Sequence, residues 1–126
     1  MILVTGATGF IGSEVVKQLS DEGLEFKCLV RTPGTENRIK SSSAKIHYGD
    51  LLNPKSLPYV FSGVDTVINV AGTLPFGHNA EGYRRNNVGS VVNLVEAGED
   101  AGVRKIVHIS AVGGSQDHSN VFLKSK

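Results

Sequence analysis

The chain has 126 residues, 40% of them apolar and 20% charged, which is the balance of a folded domain with one core rather than of a disordered segment. Its 13 Lys and Arg against 12 Asp and Glu leave a net charge of +1, with no electrostatic footprint for nucleic acid or an anionic membrane. No apolar run approaches the roughly 18 residues that span a bilayer, and a lone cysteine, Cys28, cannot form an internal disulfide, which fits a reducing, cytoplasmic compartment.

Ile2-Leu3-Val4 is a short apolar run that opens directly into glycines, the pattern of a strand buried on both faces of a parallel sheet. From Phe10 the period changes, and Ile11, Val15 and Leu19 predict one stripe of an amphipathic helix that Gly23 stops. Phe26 to Val30 predicts a second strand. The polar stretch after it, punctuated by Pro33 and Gly34, predicts at most a helical turn. Ala44 to Tyr48 reads as a third strand, "NPKSLPYVFSG" as a short proline-interrupted helix, and Val64 to Val70 as a fourth strand. A loop, "AGTLPFGH", leads to a longer helix from Asn79 to Asp100, patterned on Val88, Val91, Val92 and Val95 and stopped by Gly102. Val103 to Ile109 is the fifth strand, and "NVFLKSK" the start of another helix.

Strands alternating with helical connections predict an α/β, Rossmann-like, doubly wound parallel sheet of about five strands in the order 3-2-1-4-5. Residues 1–126 read as one nucleotide-binding domain. A fifth strand this apolar calls for cover on both faces, so the chain is read as shortened before a sixth strand, its substrate-binding part absent. Self-association or a partner chain is the other source of cover.

"VTGATGFIG" carries the most chemistry. Gly6, Gly9 and Gly12 stand three apart between a buried strand and a helix. There the chain must turn tightly, admit a diphosphate to its backbone and bring helix against strand, and each demand excludes a Cβ. The helix N-terminus offers free N–H groups to phosphate, and Thr5 and Thr8 can add hydroxyl donors.

This T-G-x-x-G-x-x-G loop resembles that of the short-chain dehydrogenase/reductase superfamily, in its extended and atypical, NAD-dependent epimerase/dehydratase-like branch. The nearest group is that of the complex I 39 kDa subunit and its bacterial NAD(P)-binding relatives. The resemblance implies a cofactor loop of Thr5, Gly6, Thr8, Gly9, Phe10, Ile11 and Gly12. In "YGDL" it implies that Asp50 and Leu51 flank the adenine, and in "INVAG" that Val70, Ala71 and Gly72 pass the ribose. "NVGSVVNLVEAGEDAGVRKIVHIS" puts Asn87 at the family's structural asparagine. Ser90 stands where that helix has glycine, so Asn86 is a competing register. The substrate pocket of such proteins is built largely beyond the stretch that matches.

Cofactor choice is read at the end of strand two, about 20 residues past the last glycine. Arg31 stands there, a forked donor suited to a 2′-phosphate, which favours NADP(H) while leaving NAD(H) possible. Arg31 stacked on adenine without discrimination is the alternative, and Glu36 is the only dissenting acid nearby.

The resemblance also implies a Tyr-x-x-x-Lys pair, the lysine holding the ribose and lowering the tyrosine pKa. Counting 12 residues from Ser110 reaches Phe122, with Lys126 on the lysine position. Aligned on "HIS", Ala111 takes the place of the catalytic serine, with Ser110 as the alternative. Of the three catalytic groups only Lys126 is then present, favouring a cofactor-binding, redox-sensing or assembly module over an NADP-dependent oxidoreductase or nucleotide-sugar epimerase-like enzyme. A plain amphipathic helix start, or a nucleotide fold without nicotinamide, is the bland reading. His47, His78, His108 and His118 have no metal-ligand spacing; His47 and His108 read as packed or rim positions, and His78 as the one worth testing.

Overall fold

The computed structural model describes residues 1–126. The elements are β1 (Ile2–Thr5), α1 (Phe10–Asp21), β2 (Phe26–Val30), β3 (Lys45–Tyr48), α2 (Leu57–Phe61), β4 (Thr66–Asn69), α3 (Ala80–Tyr83), α4 (Ser90–Ala101), β5 (Lys105–His108) and α5 (Val121–Lys124). The sheet is wholly parallel in the order β3-β2-β1-β4-β5, as the alternating pattern predicts. Ile2 of central β1 pairs with Phe26 on one side and Thr66 on the other.

Alternation along the central strands divides the core between two faces. Leu3, Leu29 and Val67 meet α2 and Leu94 of α4, with Phe61 and Val60 fully buried. Val4, Phe26 and Cys28 meet Val16 and Leu19 of α1 on the other face. Each such side chain contributes about 1.5–3 kcal/mol of burial. Burial also pushes the Cys28 thiol up to about 12, which leaves it an inert core group at neutral pH.

Two details depart from the sequence pattern. Helix α1 buries Gly12, Val16 and Leu19, whereas Ile11 is half exposed, so the buried stripe lies one residue further round the helix. The contact of Gly12 with the Gly6 turn sets that rotation, because a Cβ at Gly12 would coincide with the Gly6 carbonyl. The long helix is not continuous: α3 passes through a π-helical segment, Arg84–Gly89, before α4 begins. Its buried line is Tyr83, Asn87, Ser90, Leu94 and Gly98, while Val88 and Val92 face outward. Strand β5, whose cover was expected from outside this stretch of chain, is exposed at all four residues, with Ile106 and Val107 open to solvent.

Candidate functional site

The carboxyl ends of β1, β2 and β4 border a cavity of about 310 Å³. Its floor is the glycine turn. Gly6 has φ +70°, and a Cβ there would lie 2.6 Å from the Ala71 amide nitrogen, so only glycine lets β1 turn this close to β4. Gly9, which lines the cavity, caps α1 without any side-chain hydrogen bond, so the first-turn N–H groups of the helix have no side-chain partner. A Cβ on Gly9 would approach only the Gly6 carbonyl, at 3.3 Å, a close contact that a shift of a few tenths of an ångström relieves, and Gly9 itself lines the cavity.

Of the residues expected from sequence, Thr5, Gly6, Thr8, Gly9, Arg31, Asp50, Leu51, Val70, Ala71 and Gly72 all line this one cavity. Phe10, Ile11 and Gly12 do not; Phe10 is 94% exposed, Ile11 is half exposed, and Gly12 packs on the Gly6 turn. Thr5 is buried with its hydroxyl already engaged, donating to Asn69 Oδ1 and accepting from the Ala71 N–H at 3.4 Å, which makes it a brace between β1 and β4. Asp50 Oδ1 accepts from the Leu52 N–H at 2.9 Å, and Ser56 Oγ accepts from the Asp50 N–H, fixing the turn after β3.

Arg31 is exposed on the cavity rim with no acidic partner, whereas Glu36 is occupied elsewhere. The Glu36 carboxylate accepts from the Gly34 N–H at 2.6 Å, and backbone N–H groups, its own first, hold it below the usual range. Asp50, the acid that lines the cavity, accepts from the Leu52 N–H.

The two candidate asparagines separate. Asn86 and Ser90 line the cavity, while Asn87 is buried. Asn87 Oδ1 accepts from the Thr73 N–H at 2.9 Å and hydroxyl at 3.0 Å, and its Nδ2 donates to Ser125 Oγ at 2.8 Å. The π-helical segment turns Asn87 inward and thereby ties the loop after β4 to α5.

Lys126 lies where that tie leads. Its Nζ is 2.5 Å from where a Cβ of Gly72 would sit and 5.8 Å from the Phe122 ring centroid. Burial lowers its pKa. Phe122 packs edge-on against Tyr83 at 5.6 Å, and Tyr83 against His78 at the same distance. Position 122 therefore offers the lysine a hydrocarbon ring. Ser110 Oγ donates to the Lys126 carbonyl at 2.8 Å, and Ala111 has no hydroxyl to offer. A second cavity, of about 410 Å³, adjoins the first through Ala71 and is lined by Lys126, Asn87 and His108. Sequence reasoning set His108 aside; it is the last residue of β5.

The first cavity has the features that a diphosphate and its ribose call for: a glycine turn, a helix N-terminus without a side-chain cap, and an exposed guanidinium at the rim. No helix of the chain is long and apolar enough to cross a membrane.

A model of the NAD dependent epimerase/dehydratase family matches residues 2–121. The NAD(P)H azoreductase of Xenophilus azovorans is 35% identical over 117 residues, which are 93% of this chain and 37% of that protein. The photosystem II assembly factor Ycf39 of Guillardia theta is 32% identical over 113 residues, 88% of this chain and 35% of that protein. The chain thus spans a little over a third of the length of these relatives. Among solved structures, a crystal structure of UDP-glucose 4-epimerase superposes with a TM-score of 0.86 at 28% identity, covering 98% of this chain and 43% of that one. That of gox2253 gives 0.86 at 29% identity, covering 99% and 43%.

Proposed function

Since the chain belongs to the NAD dependent epimerase/dehydratase family, we propose that it holds NADP(H) in the first cavity and does not carry out tyrosine-dependent chemistry. Such a chain serves as a cofactor-binding, redox-sensing or assembly module. The observation that carries this reading is the pairing of Phe122 with Lys126: the cation stands beside a ring that can neither give nor take a proton.

In this reading the backbone from Gly6 to Gly9, with Thr8 and the first N–H groups of α1, holds the diphosphate. Asp50 and Leu51 flank the adenine, and Val70, Ala71 and Gly72 border the ribose. Asn87 keeps the loop after β4 in place, and Lys126 contacts the nicotinamide ribose. Arg31 meets the 2′-phosphate with a forked pair of donors. A bound nicotinamide supplies hydride chemistry. The assembly role draws support from the Ycf39 relatives, which are named assembly factors.

The test is turnover of aldehydes and ketones by the chain saturated with NADPH, and of UDP-sugars by the chain saturated with NAD⁺ or NADP⁺, with the sugar products assayed directly. The reading expects no NADPH consumption above the buffer rate. Steady carbonyl reduction or sugar epimerisation by the unmodified chain would refute it. A second reading, reduction of an acceptor that needs no phenolic acid, has one observation in its favour, the 35% identity to a protein named NAD(P)H azoreductase. Bleaching of an azo dye at the expense of NADPH, lost in Gly9→Val, would select it.

A further inference from the structure

Asn93 stands in the interior of α4, where asparagine is among the weaker helix formers, and its side chain does not bond back to its own helix. Its Nδ2 instead donates to the Leu51 carbonyl at 2.7 Å, across 42 residues of chain. The next residue, Leu94, is fully buried in the same core cluster as Leu51. Helix α4 therefore holds Leu51 twice, by side-chain packing with one residue and by a backbone hydrogen bond with the other.

The Leu51 carbonyl belongs to the same planar peptide as the Leu52 N–H. That N–H donates to Asp50 Oδ1 at 2.9 Å, so one rigid peptide joins Asn93 to the Asp50 carboxylate. Ser56 Oγ accepts from the Asp50 N–H at 3.0 Å and donates to the Asp50 carbonyl at 3.2 Å, which anchors the backbone there but not the carboxylate. Asp50 Oδ2 has no protein partner, and Asp50 lines the first cavity. Without the Asn93 amide the Leu51 carbonyl loses its partner, and the peptide that orients the carboxylate loses its outer support.

We propose that Asn93 is a positioning residue for base recognition: through the Leu51–Leu52 peptide it aims the free Asp50 oxygen at the exocyclic amine of the adenine. The inference rests on the cofactor reading above, in which Asp50 and Leu51 flank that base. An ionised carboxylate only accepts hydrogen bonds, so adenine, with an amine at this edge, is favoured over hypoxanthine, which has a carbonyl there. Two acceptors facing each other repel. Base selectivity is thus set from α4, by a residue that does not itself line the cavity.

The test is titration of the 126-residue chain with NADPH and with its hypoxanthine counterpart, followed by nicotinamide fluorescence, in the wild type, Asn93→Ala and Asn93→Asp. The wild type is expected to bind NADPH roughly tenfold more tightly than the hypoxanthine dinucleotide. In Asn93→Ala that preference falls to about twofold or less, through weaker NADPH binding with the hypoxanthine affinity little changed. Asn93→Asp keeps the volume and replaces the donor with an acceptor, so the same collapse is expected, and it decides the matter if Asn93→Ala fails to fold. A role confined to the stability of α4 would lower the urea midpoint and leave the base preference at its wild-type value, and that result overturns the proposal. Equal binding of the two dinucleotides by the wild type overturns it as well, while leaving the cofactor reading in place. Binding of neither by the folded wild type overturns the cofactor reading and this inference together.

Discussion

The interior of the sheet and its β5 edge are built in opposite ways. Strand β2 is buried at every residue, whereas β5 is exposed at every residue, though both are short, apolar and parallel. The buried half holds its cavity by backbone sterics: Gly6 against Ala71, Gly12 against Gly6, and Thr5 bracing β1 to β4. The exposed half holds its cavity by side chains: the Asn87 clamp on Thr73 and Ser125, and the Asn69 to His108 bond. Geometry set by the backbone tolerates no substitution at Gly6 or Gly12. Geometry set by side chains can lose one chemical group, such as a phenolic hydroxyl, and keep its shape.

The sharpest way to break the comparison is at the backbone half. Gly12→Val drives a branched side chain into the Gly6 turn, and a loss of about 3 kcal/mol or more in urea unfolding is expected. A midpoint within error of wild type would contradict the claim that this contact sets the rotation of α1. Gly9→Val separates folding from binding: only the Gly6 carbonyl is near its new Cβ, so stability should change by less than about 1 kcal/mol. NADPH affinity should fall at least about a hundredfold, because the side chain enters the diphosphate's approach. Unchanged affinity would remove the loop from the site.

Arg31→Ala is expected to weaken NADPH about tenfold and NADH little, the loss of one charge-assisted contact. Equal losses for both would return Arg31 to adenine stacking. The smallest effect is on pH. His47, lowered by burial and then by Lys27 on the neighbouring strand, and His108, lowered by burial and then by Lys126, both stay neutral in the fold. The unfolded chain takes up protons near pH 6.5 while the folded histidines do not. Stability from this source is therefore complete above about pH 7 and declines as pH falls through about 6. Urea midpoints at neutral and mildly acidic pH should show that slope, shallower in His47→Gln. A midpoint that rises on acidification would reverse the assignment.

The same contrast explains what could be read from the chain. Strand positions and sheet order follow from apolar runs and the βα alternation, and the glycine turn from spacing alone, because each reflects a local steric rule. Ile11 was misplaced because periodicity gives the width of a helix's apolar stripe but not the contact, at Gly12, that sets its rotation. Val88 and Val92 looked like core because a valine pattern does not distinguish a core from a cavity wall, where they lie. The π-helical segment that turns Asn87 inward has no sequence signature. His108 was passed over because its partner, Asn69, lies 39 residues away. Lone histidines on strands carry no such information.

The most direct test of the central claim is titration of the chain with NADPH and with NADH, followed by nicotinamide fluorescence. The sequence has no tryptophan to add an energy-transfer background. The account predicts saturable binding of both, tighter for NADPH, and its loss in Gly9→Val. No binding of either by the folded chain would contradict it.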